Sequence, residues 1–252
     1  METQQLARKA ISLLDLTNLN DICDDAAIED LCARAQTPYG NTAAVCVWPR
    51  FVKKAKECLA GTGIKIATVV NFPQGGEDLE PVLAETTVAL ADGADEIDLV
   101  ISYKAFMAGR KGFAENMIAK VKAAIPAPAK LKTILETGEL KEPELIRQAS
   151  IMAIDAGADF IKTSTGKVAV NATPEAADIM LSVIAESDSP VGFKPAGGVK
   201  TLEDAGTYLA IAEKYMGAEW ASPESFRFGA SGVLDALLAA MEGQQAEAKE
   251  GY

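Results

Sequence analysis

The sequence predicts a single-domain α/β chain of the (β/α)8, or TIM, barrel class, and three observations predict it. Short β-branched or apolar runs alternate with longer amphipathic runs eight times in 252 residues, which is the pattern of strand–helix units wound into a parallel barrel. No linker or low-complexity segment divides the chain; only the polar stretch from about 242 to 252 reads as a mobile tail. The fingerprint of the competing doubly wound sheet is also missing. "GTGIKI" has Ile66 where the third glycine belongs, and it precedes its strand instead of following one. Nor is "STGK" a nucleotide-binding P-loop, because Ile161 and Val168 occupy the places of its first glycine and its Ser/Thr.

The elements follow in order. "LLDLT" (13–17) is the first strand, with a helical pattern near 24–36, then "AAVCVW" (43–48) with a helix near 50–60. "KIATVVNF" (65–72) leads to 79–92, and "EIDLVI" (96–101) to a long pattern over 104–123. "LKTILET" (131–137) precedes 142–155, and "FIKTST" (160–165) precedes 174–186, where Thr173 and Pro174 read as cap and first-turn proline. "VGFKPAGG" (191–198) precedes 202–216, opened by a capping box of Thr201 with Asp204, and "RFGAS" (227–231) precedes 232–241. Gly93 and Gly157, each in a "GAD" before a strand, read as helix C-terminal glycines.

Composition then narrows the chemistry. The chain is 49% hydrophobic and 24% charged, with a net charge of −12. Such an acidic balance argues against nucleic acid and against anionic membrane surfaces. The start lacks a signal-peptide apolar region because Asp15 interrupts its only apolar run, and no stretch approaches the roughly 20 apolar residues of a membrane span. Cysteines 23, 32, 46 and 58 form no CxxC pair, so a reducing, cytoplasmic setting with inert thiols is expected, Cys46 as core packing. There is no histidine. Triads and His-ligated metals are therefore excluded, and acid–base or covalent work falls to Lys, Asp, Glu, Tyr, Cys or a cofactor.

Alternation along the strands then picks out three polar residues. Ile97, Leu99 and Ile101 share one face of "EIDLVI", so Asp98 points into the barrel. By the same rule Lys162 and Lys194 point inward, on strands that would be neighbours with axes roughly 4.8 Å apart. A single lysine in an apolar strand is ordinarily an edge or snorkelling residue; two at matching depth beside an aspartate call for chemistry. Two crowded ammonium groups repel, and an amine brought from about 10.4 to about 7–8 becomes a nucleophile. Glu96 and Lys132 read as members of a structural salt-bridge layer.

A second constellation lies in the turns after the last three strands, "STGK", "AGGVK" and "GASG". Barrels of this class use such loops to hold phosphate. Gly197 and Gly198 allow close backbone approach, Thr165 and Ser231 offer hydroxyls, and Lys167 and Lys200 offer charge.

These segments, with "NTAAVCVWPRFV", "VVNFPQG", "ILETGEL" and "GADFIKTSTGKVAVNATPE", resemble the bacterial-type 2-deoxyribose-5-phosphate aldolase family of lysine Schiff-base aldolases, in order and over nearly the whole chain. The resemblance implies a metal-independent class I aldolase without a cofactor, acting on a phosphorylated sugar and aldehydes. It implies Lys162 as the imine-forming residue, Lys194 as the group that lowers its pKa and Asp98 as proton relay. Asp15 and Thr17 would lie near substrate, and Lys167, Gly197, Gly198, Gly229 and Ser231 match phosphate-end positions. Gly232 and Lys200 depart from the family pattern of serine and arginine, which bears on phosphate affinity. The resemblance also points to Tyr252 as a proton-relay residue and admits a homodimer. The rival readings are another lysine-dependent barrel aldolase and a silent barrel that binds sugar phosphate as a regulator.

Overall fold

The structure is a computed structural model and describes residues 2–244. Eight parallel strands alternate with helices: β1 (Leu14–Asn18), β2 (Ala44–Val47), β3 (Lys65–Val70), β4 (Glu96–Val100), β5 (Lys130–Ile134), β6 (Phe160–Lys162), β7 (Gly192–Lys194) and β8 (Phe228–Ala230). They pair in the order β8-β1-β2-β3-β4-β5-β6-β7. The ring closes between β7 and β8 through the bridges Phe193–Phe226 and Ala196–Gly229, with the Gly229 N–H donating to the Pro195 carbonyl at 2.9 Å. The expected barrel is therefore present, every strand overlapping its sequence assignment. Of the expected tail only 242–244 fall within the described residues, and Tyr252 lies outside them.

The signals read at helix ends are satisfied locally. Thr201 Oγ1 accepts from the Asp204 N–H while Asp204 accepts from the Thr201 N–H, opening α10 (Leu202–Met216). Thr173 caps α9 (Pro174–Glu186) by accepting from Ala176 N–H. Gly93 ends α4 (Leu79–Ala91) at φ 103°, a left-handed turn that lets the Ala94 N–H reach back to the Ala89 carbonyl.

Several elements depart from expectation. A helix α1 (Thr3–Ser12) precedes β1, burying Ala7, Ala10 and Ile11 and packing against α11 (Val233–Met241). The pattern over 104–123 is two helices, α5 (Tyr103–Met107) and α6 (Lys111–Ala124), because Gly109 turns at φ 82° and the Arg110 N–H bonds the Ala105 carbonyl. β6 and β7 are also shorter than expected. Lys162 and Lys194 are their last residues, paired in register, so both side chains start at the C-terminal mouth of the barrel.

Two apolar regions hold the fold. One continuous core joins the outward strand residues Ile97, Leu99, Leu131, Ile161 and Phe193 to helix residues such as Ile118, Ala149 and Met180. A smaller cluster joins Cys46, Ala67 and Val69, from the opposite strand faces, to Leu19 in the loop after β1, with Trp48 and Phe72 against it. Ala67 and Val69 pair in register with Glu96 and Asp98, so this cluster forms an apolar wall beside the polar residues inside the barrel.

Candidate active site

Alternation along each strand, with apolar neighbours facing the helices, sends seven charged side chains into the barrel. Asp15 comes from β1, Glu96 and Asp98 from β4, Lys132 from β5, Lys162 from β6, Lys194 from β7, and Arg227 from just before β8. All are buried, Glu96 the most accessible at 3%. Unpaired charges could not survive there, and none is unpaired. Lys162 donates to Asp98 Oδ2 at 2.9 Å, and Lys194 donates to the same oxygen at 2.8 Å. Lys194 also donates to Asp15 Oδ2 at 2.6 Å. Lys132 donates to Asp98 Oδ1 at 2.9 Å, pairs with Glu96, and lies 3.5 Å from Asp15 Oδ2. Arg227 spans Glu96 with both terminal nitrogens, at 2.7 and 3.1 Å, and reaches Asp15 Oδ1 at 2.7 Å.

The centre therefore holds four cations and three carboxylates. One positive charge is in excess, and the geometry decides which group yields it. Lys194 touches two carboxylates and Lys132 pairs with three, whereas Lys162 shares one oxygen of one. Burial pushes the Lys162 amine below its ordinary value; Asp98 opposes this and Lys194 adds to it. Burial acts on Lys194 in the same sense, but Asp15 and Asp98 outweigh it and hold that ammonium well above the usual lysine range. Lys132 is raised likewise by Asp98 and Glu96 against its burial. Burial would raise the Asp98 and Asp15 carboxyls, yet the surrounding cations hold both below the carboxylate range. The arrangement offers an amine eased toward its neutral form beside an ammonium held charged, the combination a nucleophilic lysine requires.

The structure brings Lys162, Lys194, Asp98 and Asp15 into contact. Glu96 and Lys132 do form a salt bridge, but they join the central network instead of a separate layer. Arg227 escaped the sequence reading although it opens the expected strand "RFGAS"; its place on the face opposite Phe226 and Phe228 was the available signal. Glu136 escaped too. It adopts φ 58°, is fully buried, and accepts from the Thr165 N–H at 3.1 Å and its hydroxyl at 2.7 Å. Burial raises the Glu136 carboxyl, with the Thr165 bonds acting against it.

The loop residues are placed as follows. Thr165 Oγ1, engaged by Glu136, also accepts from the Lys167 N–H at 3.0 Å. Lys167 Nζ donates to the Leu19 carbonyl at 2.8 Å, tying the loop after β6 to the loop after β1. Thr17 is buried and bonds the Asp15 carbonyl at 2.8 Å. Gly197 and Gly198 take φ 76° and 88°. A Cβ on Gly229 would lie 2.7 Å from Ala196 Cβ and 3.0 Å from Lys194 Cε, so glycine there leaves room for the lysine stem. Ser231 precedes Gly232 at the start of α11, and the Lys200 N–H donates to Asp204 at 2.8 Å. Cys46 is buried in the apolar wall, its thiol raised chiefly by burial. A concavity of about 420 Å³ opens at the opposite, N-terminal end of the strands, where Lys130 and Glu224 pair at 2.5 Å; it meets the charged centre only through Glu96.

Comparisons with known proteins follow the same line. Residues 9–234 match the family described as DeoC/LacD family aldolase. A deoxyribose-phosphate aldolase of Agrobacterium fabrum is 58% identical over 251 residues, 99% of this chain and 97% of that one. Among solved structures, a candidate deoxyribose-phosphate aldolase from Toxoplasma gondii ME49 superposes with a TM-score of 0.88 at 26% identity, covering 97% of this chain and 99% of that one. A candidate enzyme of the same name from Coccidioides immitis gives 0.80 at 29% identity, over 91% and 85% of the two chains.

Proposed function

This chain belongs to the DeoC/LacD aldolase family, and from that footing we propose that it cleaves 2-deoxy-D-ribose 5-phosphate reversibly to acetaldehyde and D-glyceraldehyde 3-phosphate through an imine on Lys162. The observation that carries the reading is the uneven sharing of carboxylates between Lys162 and Lys194. The neutral Lys162 amine adds to the open-chain aldehyde, and loss of water gives a protonated imine that draws in electrons. A two-carbon product fixes the bond that breaks: carbons two and three part as the carbon-three hydroxyl gives up its proton. The enamine left on Lys162 is then protonated on carbon and hydrolysed, releasing acetaldehyde and the free amine.

Asp98 and Lys194, in direct contact, are assigned the proton traffic. A carboxylate held this low is a weak base by itself, so water and the adjoining ammonium share the transfer. The apolar wall of Leu19, Cys46, Ala67 and Val69 restricts water and strengthens the charges it borders. The phosphate is assigned to the turns bearing Gly197, Gly198, Lys200 and Ser231, with Lys167 alongside, whereas the Thr165 hydroxyl is taken by Glu136. Positive backbone angles at the two glycines support that assignment. A cytoplasmic setting belongs to the same reading, supported by four free cysteines.

The test is covalent capture. Acetaldehyde with borohydride is expected to add an ethyl group to Lys162, located by peptide mass spectrometry, and deoxyribose 5-phosphate is expected to turn over where fructose 6-phosphate does not. Capture on another lysine, or loss of activity in EDTA, overturns the proposal.

A further inference from the structure

The central network holds two buried charges, Arg227 and Glu96, that the mechanism above does not use. Arg227 is 1% exposed and grips Glu96 with two nitrogens while holding Asp15 Oδ1. The other oxygen of Asp15 receives Lys194. The guanidinium thus fixes how the Asp15 carboxylate presents itself to Lys194. It differs from the three lysines in a further respect, since arginine does not give up its proton inside proteins. Whatever surplus charge the centre holds must be resolved among the lysines.

We infer that Arg227 and Glu96 are positioning residues that set the charge balance of the lysine pair, so that the surplus proton leaves Lys162 and not Lys194. The inference rests on the imine reading given above. Counting the buried groups gives its logic. With Arg227 present, four cations face the three carboxylates they touch, and the excess bears most on Lys162, the lysine that touches fewest. Without it, Lys132, Lys162 and Lys194 match Asp15, Glu96 and Asp98 one for one, and Lys162 keeps its proton. Removing a cation is therefore expected to make the reactive amine harder to deprotonate by way of the balance, although that cation does not touch it. Removing Glu96 acts in the opposite direction. The other ionisable groups acting on Lys162, directly or through the carboxylate it shares, are Asp98 from β4, Lys194 from β7, Lys132 from β5, Asp15 from β1, Cys46 from β2 and Glu136 from the loop after β5. None of these changes in the two variants.

The experiment follows acetaldehyde capture by cyanoborohydride against pH in the full chain, with kcat and KM for deoxyribose 5-phosphate measured in parallel. For Arg227→Met the midpoint of capture is expected to rise by about one pH unit, with capture and kcat/KM about tenfold lower on the acid side and KM nearly unchanged. For Glu96→Gln the midpoint is expected to fall. The double variant restores a surplus of one and is expected to return toward the parent, and Arg227→Lys, which keeps the charge, to stay near it. Midpoints that do not move, or that move the same way in both single variants, overturn the inference while leaving the aldolase reading intact. Absence of Lys162 capture in the parent protein overturns that reading instead. Thermal melts identify any variant that fails to fold; should Arg227→Met be one, Glu96→Gln and Arg227→Lys still decide, by a lowered and an unmoved midpoint respectively.

Discussion

The β6 and β7 segments make a controlled comparison inside one molecule. Each ends in a lysine, the two lysines are paired in register, both are buried, and both donate to Asp98 Oδ2. Yet one amine is pushed down and the other held well up. The difference is Asp15, which reaches Lys194 at 2.6 Å from β1, two strands along the closed ring, and has no such bond to Lys162. Depth and residue type make a lysine unusual; the number of carboxylates it touches decides whether it is a nucleophile or a fixed charge.

Three substitutions test that comparison, from the largest effect to the smallest. Lys162→Met removes the amine itself, so cleavage and covalent capture are both expected to vanish at every pH. Recovery of either at high pH would mean that Lys194 can take over, and the distinction would fail. Lys194→Met leaves three cations facing three carboxylates. Lys162 then keeps its proton, and cleavage at neutral pH is expected to drop by about two to three orders of magnitude. The sign is specific: the folded-state pKa of Lys162 rises, so residual activity should climb as pH is raised, whereas a loss that is flat with pH would speak against a charge effect. Gly229→Ala crowds Ala196 and the stem of Lys194 without touching Lys162. It is expected to cost about 1–3 kcal/mol of stability, read as a lowered melting temperature, while capture at Lys162 persists.

Much of this was legible in the chain. Alternation exposed Asp98, Lys162 and Lys194 because a charge on the inward face of an otherwise apolar strand stands out. Thr201 with Asp204, and Gly93, announced their helix ends through local bonds. What escaped depends on distant partners or on backbone geometry. Arg227 finds its carboxylates 212 and 131 residues away, and nothing near it in sequence reports them. Glu136 turns toward Thr165 only because its backbone adopts φ 58°, so a hydroxyl read as open to a ligand is already bonded to a carboxylate. Gly109 lies inside the 104–123 pattern, and its turn at φ 82° ends the first of two helices there.

The shared oxygen of Asp98 bears on the lifetime of the covalent species as well as on its birth. In the reaction proposed above, a protonated imine restores a cation at the Lys162 nitrogen, so each adduct forms against the same electrostatic pressure that pushes the free amine down. Attachment is thus kept from becoming a sink, and hydrolysis returns the barrel to its relaxed condition. An enzyme tuned in this way exchanges tight holding of its intermediate for rapid renewal of the free catalyst.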